Sequence, residues 1–326
     1  MFVGIREIRK AKGRFGLIVG AVALITLLVA VLTGLTSGLG KQNTSALEAL
    51  APQSVVFEDP SEPSFTTSRV EAEAGTEPLG TGQTLMQVDG GDEESVAVLS
   101  LPRGTTLPGG EVLGDGVVAS ESLGLSRDDA LRLGSATTTV DAVTEDLHFS
   151  HTPVLWVPTE TWQEAFHTDA DGTVLLSNDP DRADGVSLKE SFQGLAAYSS
   201  EQGSLKMIQG FLYAIAALVI IAFLTVWTMQ RTRDLAILKA IGASNTYLLK
   251  DALGQSAVLL LVGVLIGGLA AFSIGLAMAG TAPFTLSASV IGVPPVAVWL
   301  LGMAGALVAT RSISKVNPQS ALGGVA

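Results

Sequence analysis

The side chains best suited to ligand chemistry are few. His148 and His151 stand three residues apart, and His167 completes the histidine set. Three imidazoles could hold a metal, yet Phe149 and Pro153 mark a strand or a bend, which would turn the two closer rings to different sides. A place on a surface or in a core competes with ligation. The chain has no Cys, which removes thiolate zinc sites, iron–sulfur clusters, disulfides and a Cys nucleophile. Asp92-Glu93-Glu94 and Asp179-x-Asp181-x-x-Asp184 offer carboxylates for calcium. They lack the full EF-hand spacing, and a solvated acidic face is the plainer reading. A phosphate-cradling Gly-x-x-x-x-Gly-Lys-[Ser/Thr] is missing: Gln42 follows Gly40-Lys41 and Leu35 stands where the first glycine belongs. No Ser-His-Asp arrangement can be assigned. We therefore expect no catalytic site, no metal and no permanently bound cofactor in this chain.

The elements that carry these residues are mostly apolar. Of 326 residues, 48% are hydrophobic and 15% charged, against about 25% charged in ordinary soluble chains. A net charge of −12 argues against a nucleic-acid partner. Charge is absent from 15–40, 207–230 and 252–310. A hydrocarbon core of about 30 Å needs about 20 helical residues, so the first two runs hold one crossing each and the third holds two. Gly280, Pro283, Pro294 and Pro295 break the third run. The expected membrane helices are 15–40, 207–230, 252–278 and 292–310, with a loop at 279–291. A cleaved signal peptide is the rival for the first helix; Pro52 directly after Ala49-Leu50-Ala51 and the long apolar run speak against it.

Orientation follows the basic residues. Segments 1–14, 231–251 and 311–326 hold 11 basic and 3 acidic residues, whereas 41–206 holds 8 basic and 28 acidic, a net −20. The basic segments belong in the cytoplasm and the acidic one outside. The expectation is a multi-pass cell-membrane protein with both termini cytoplasmic.

Residues 1–14 read as an amphipathic helix along the inner leaflet, with Phe2, Ile5 and Ile8 at helical spacing, or as a simple basic flank. Segment 41–51 continues the first helix as a stalk. Segment 52–187 reads as an extracytoplasmic α+β domain of short strands separated by Gly-, Pro- and Asp-rich turns. Ser126–Leu133 and Thr159–His167 read as helices, Glu58–Gly82 as a mobile loop, and 188–206 as a second stalk. The fold class is thus a membrane protein with four transmembrane α-helices and a large extracytoplasmic α+β domain between helices 1 and 2. Gly16/Gly20, Gly34/Gly38 and Gly263/Gly267 are small pairs that permit close helix approach.

Segment 231–251 is the most informative. Arg231–Ile241 extends the second membrane helix, with Leu235, Leu238 and Ile241 on one side. Gly242 suits a left-handed helix end and Ser244 the next N-cap. Asp234-Leu-Ala-Ile-Leu-Lys-Ala-Ile-Gly-Ala-Ser244 resembles the signature of FtsX-like and MacB-like permeases, the membrane subunits of type VII ABC transporters; Asp234 stands where that family usually has Glu. The order of one helix, a large insert and three helices is similar throughout the chain, and Asn317-Pro-Gln-Ser-Ala-Leu322 resembles the family's terminal pattern.

The resemblance implies a homodimer in the lipid bilayer that binds two copies of a separate cytoplasmic ABC ATPase, which carries the ATP. Arg231, Arg233, Asp234, Leu235, Leu238, Lys239, Ile241, Gly242 and Ser244 would form the coupling helix. Within the family the short length and single compact insert look most like the haem exporters, which implies haem as substrate, held between the outer ends of helices 1 and 2. Haem iron accepts His, Met, Tyr or Cys, and occasionally a carboxylate; His148 and His151 compete for this role from the insert. At the helix ends the residues that fit are Glu48 and Met207, with Leu47, Leu50 and Phe211 lining a cavity open to lipid. A solvated Glu48 and a merely packed Met207 are the bland alternatives. An FtsX-type regulator that drives an external cell-wall hydrolase is the rival function, and an antimicrobial-peptide sensor fits four helices less well.

Overall fold

The computed structural model describes residues 12–278 and 281–310. The expected inner-leaflet helix falls almost wholly outside the described residues, as do the C-terminal segment 311–326 and the side chains of Arg233 and Asp234. The chain divides into two compact units, 39–204 and the remainder.

The membrane unit is built on four long apolar helices. They are α1 (Lys12–Leu50), α4 (Ala196–Gln230), α6 (Asn245–Met278) and α7 (Ala288–Thr310). All four are long and apolar enough to cross a membrane. The short α5 (Thr232–Ala240) joins α4 to α6. The helices pack through Phe15, Ile18, Val22, Ile220, Leu224, Trp227, Leu260, Val264 and Val298, all buried. Two of the three glycine pairs lie in tight contacts. A Cβ at Gly263 or Gly267 would strike Val22 or Ala23 of α1, and one at Gly34 or Gly38 would strike Phe284 or Pro283. Gly16 and Gly20 have open space beside them. Helix α7 begins at Ala288, before the expected 292, and carries Pro294 and Pro295 inside it. The two prolines lie in the second turn and remove the N–H donors that would bond the carbonyls of Val290 and Ile291, so the helical ladder is interrupted there.

The insert is a mixed α+β fold. Its strands are β1 (Ser54–Val56), β2 (Thr76–Val88), β3 (Glu93–Leu101), β4 (Val117–Ser120), β5 (Ala130–Leu133), β6 (Ala136–Thr144), β7 (His148–Phe149), β8 (Thr152–Pro158), β9 (Val174–Ser177) and β10 (Gly185–Ser187). Helix α2 (Thr159–Phe166) follows β8, and the one-turn α3 (Leu188–Ser191) follows β10. The strand order is β10-β1-β9-β2-β3-β8-β4-β6-β5, and a further β2–β5 pairing closes β2, β3, β8, β4, β6 and β5 into a ring. The pairs β3–β8 and β4–β6 are parallel. Strict alternation gives β3 two buried faces. Val96 and Val98 enter a core with Met86, Leu133, Leu155 and Trp162; Ala97, Leu99 and Leu101 enter a second with Phe65, Phe149, Trp156 and Phe192.

Two sequence expectations fail here. Ser126–Leu133 is not a helix: its last four residues are strand β5, whose buried Leu131 and Leu133 alternate with exposed Ala130 and Arg132. A period of two fits that pattern better than 3.6. Glu58–Gly82 is not a simple loop either. Phe65 is fully buried within it and its last seven residues belong to β2.

Candidate functional site

The first site is the stalk end of α1. Its helix runs unbroken to Leu50 and stops where Ala51 takes a left-handed φ of 48°. Thr44 donates from its hydroxyl to Glu48 Oε1 at 2.8 Å and to Gly40 O at 3.0 Å, so Glu48 is oriented by its own helix. Glu48 is exposed. Leu47, expected beside it in a ligand cavity, is instead wholly buried in the insert core with Val55, Phe149 and Phe192, and Leu50 packs partly against that core. The two leucines therefore hold the stalk to the insert rather than offering surface to a ligand. On α4, Met207 and Phe211 are 64% and 62% exposed, four residues apart on one helix face.

The histidines, set aside by sequence reasoning, sit against the same stalk. Strands β7 and β8 are joined by the two-residue turn Ser150-His151, both residues in the left-handed region at φ 48° and 68°. Such a turn usually calls for Asn-Gly, and each non-glycine residue there costs about 1–3 kcal/mol. Hydrogen bonds to both stalks hold it. Ser150 and His151 donate their N–H groups to Asn43 O and Gln42 O, at 3.2 and 2.9 Å. The Ser45 hydroxyl bonds both His148 N, at 2.8 Å, and His148 O, at 3.2 Å. His151 Nε2 lies 2.9 and 3.0 Å from the two Glu201 oxygens and 3.0 Å from Asn43 Nδ2. Buried Asn43 donates to Leu39 O and Glu201 Oε2, while its Oδ1 has no partner. One turn of the insert is thereby tied to residues 42–45 of α1 and to Glu201 of α4. No group of three His, Cys, Asp or Glu side chains fit for a metal occurs among the described residues.

The second site is the hairpin of α5 and the start of α6. Leu235, Leu248 and Ala252 form a small core, with Leu238 and Ala243 against it. Gly242 turns the chain at φ 107°, and the Ser244 hydroxyl caps α6 by accepting from Tyr247 N. Arg231, expected to face a partner, is only 6% exposed. Its Nη1 donates to Gln255 Oε1 at 2.6 Å, Gln255 in turn donates to Asp251, and the guanidinium lies 4.9 Å from the Trp227 ring centroid. It positions the hairpin from beneath. Ile241 leaves the expected stripe and is 80% exposed at the tip, with Ile237 and Tyr247 also exposed. The hairpin thus carries exposed apolar side chains. Tyr247 was not singled out in the sequence; its place in the first turn after the Ser244 cap was the available signal.

Comparison with known proteins agrees with this architecture. Residues 207–318 match the family described as FtsX-like permease C-terminal. The chain is 25% identical over 271 residues to the hemin transport system permease protein HrtB of Staphylococcus epidermidis, covering 75% of this chain and 77% of that one. A protein of the same name from Staphylococcus haemolyticus is 24% identical over an alignment covering 98% of each chain.

Proposed function

We propose, from the premise that this chain carries an FtsX-like permease domain and is a permease of ABC type, that it exports haem or a similarly amphipathic molecule from the membrane. The observation that carries the reading is the similarity to hemin transport permeases along three quarters of the chain or more. The exposed side chains fit such a cargo. Met207 offers a thioether and Glu48 a carboxylate, both acceptable to haem iron, and Phe211 offers an apolar ring one turn from Met207. A homodimer would present each residue twice about a two-fold axis, which suits a planar macrocycle. In this reading the acidic insert is extracytoplasmic and both termini are cytoplasmic. The α5–α6 hairpin meets a separate ATPase, two copies per dimer, through Ile237, Ile241 and Tyr247, and residues 231–244 act as the coupling helix with Arg231 as its anchor.

The test is a haemin titration of the purified chain, read by Soret absorbance. The expected result is a saturable shift at about one haem per dimer, lost in Glu48→Ala and in Met207→Ala. Absence of saturable binding overturns the haem reading. Binding untouched by both substitutions discards these two residues.

A second reading is supported by the Ser150–His151 turn, which links both stalks to the insert: a mechanical regulator that drives an external hydrolase. It predicts ATP-dependent change in the insert with no cargo dependence of ATPase activity.

A further inference from the structure

Only 17% of the apolar span of α4 is buried within the chain, against 33% to 39% for the other three membrane helices. Its apolar side chains gain little by choosing α1 over lipid, because hydrocarbon is as apolar as leucine. The rotation of α4 about its own axis therefore needs a more specific contact.

Two contacts register α4 against α1. At one end the Phe15 and Trp227 rings meet edge to face, with centroids 6.0 Å apart. At the other, Gln209 Nε2 donates to Thr33 Oγ1 at 2.6 Å, and the Thr33 hydroxyl donates in turn to Val29 O at 2.7 Å. Thr33 comes 18 residues after Phe15, and Gln209 comes 18 residues before Trp227. That interval is about five helical turns, so each helix presents both of its contacts on one face, about 27 Å apart. The spacing is close to the thickness of a hydrocarbon core, about 30 Å. At the Thr33 level α1 is held from another side as well. Phe284 fits beside Gly34 and Gly275, where a Cβ on either glycine would strike its ring, and Thr285 donates its N–H to Gly34 O at 3.2 Å. Helix α1 is thus the braced post, and α4 is the helix whose rotation is left to be set.

Met207 and Phe211 each stand two residues from Gln209, about 200° around the helix. With Gln209 turned to α1 they are turned away from it, 64% and 62% exposed. We propose that Gln209 is a positioning residue: its bond to Thr33 sets the rotation of α4 and so presents Met207 and Phe211 together on the open face. This rests on the reading above that this face takes the cargo. An amide left unpaired in hydrocarbon is strongly disfavoured, so each rotation that parts Gln209 from Thr33 is penalised. Apolar contacts alone would tolerate it.

The test uses the full chain in nanodiscs and has two arms. Because the chain has no Cys, Met207→Cys, Ile208→Cys, Gly210→Cys, Phe211→Cys and Leu212→Cys each give one nitroxide site. Collision with dissolved oxygen then traces which side of α4 faces lipid. The expected profile follows the helical period and is highest at 207 and 211. Gln209→Leu and Thr33→Val each shift its phase by on the order of tens of degrees, and Thr33→Ser, which keeps the hydroxyl, leaves it in place. In the second arm, without labels, haemin affinity falls by on the order of tenfold in Gln209→Leu and in Thr33→Val, the worth of one interhelical hydrogen bond. Thr33→Ser binds as the unsubstituted chain does. The double substitution is no weaker than either single one, since both act through one bond. An unchanged phase in Gln209→Leu overturns the proposal. So does a shifted phase with haemin affinity intact. A loss of affinity matched by a lower thermal midpoint, with the phase unmoved, overturns it in favour of a merely structural role. If the unsubstituted chain binds no haemin, the cargo reading fails, and the phase of the oxygen profile alone decides whether Gln209 sets the face.

Discussion

Arg231 occupies the point where a membrane helix gives way to the hairpin, and its burial sets what its loss costs. Arg231→Met leaves Gln255 without its charged donor in a buried site, a loss of about 1.5–3 kcal/mol. The expected outcome is a lower thermal midpoint together with, on the proposed function, loss of stimulation of the partner ATPase. Arg231→Lys keeps the charge but loses the planar fork and the stacking on Trp227, so it lands between the two. Ile241→Ser, by contrast, leaves the thermal midpoint unchanged and weakens co-purification of the proposed partner ATPase. The sequence placed both residues in one coupling motif. It could not separate anchor from contact, because an arginine at a helix junction reads the same whether its fork turns inward to a glutamine 24 positions on or outward to a partner. His151 was undervalued for a related reason. Its partners Asn43 and Glu201 are 108 and 50 positions distant, and no local pattern announces them.

At the scale of elements, the charge-free runs located all four membrane helices, since a missing charge over about 20 residues has few other physical causes. Helix α1 runs on to Leu50, as expected of the stalk 41–51, and α4 begins at Ala196 within the expected second stalk; packing against the insert replaces lipid as the reason to be helical there. The end that was less legible is the start of α7 at Ala288, ahead of its two prolines. In the insert, strand order and ring closure depend on pairings such as Met86 with Leu133, which no local pattern encodes. The glycine pairs give a direct comparison. Gly267→Ala pushes a methyl against Ala23 O and the Thr26 side chain, an overpacking of about 1–3 kcal/mol. Gly20→Ala meets open space within the chain and leaves the thermal midpoint of the monomeric fold unchanged. Measuring both variants in detergent separates packing within one chain from glycine content as such.

For the whole molecule, the proposed orientation is open to a clean experiment because the chain has no Cys. Each introduced thiol is then unique. Asp92→Cys is expected to react with a membrane-impermeant maleimide on intact cells, and Lys239→Cys only after permeabilisation. The reverse pattern would invert the topology. The Ser150-His151 turn carries a different kind of consequence. Asn-Gly at these two positions would relieve the left-handed strain and raise the stability of the insert. It would also erase the imidazole that reaches Glu201. Selection for thermal robustness alone would therefore drift toward a sturdier chain whose two stalks no longer share a grip on the insert. In this small region the variant that survives heat best is the one expected to work worst.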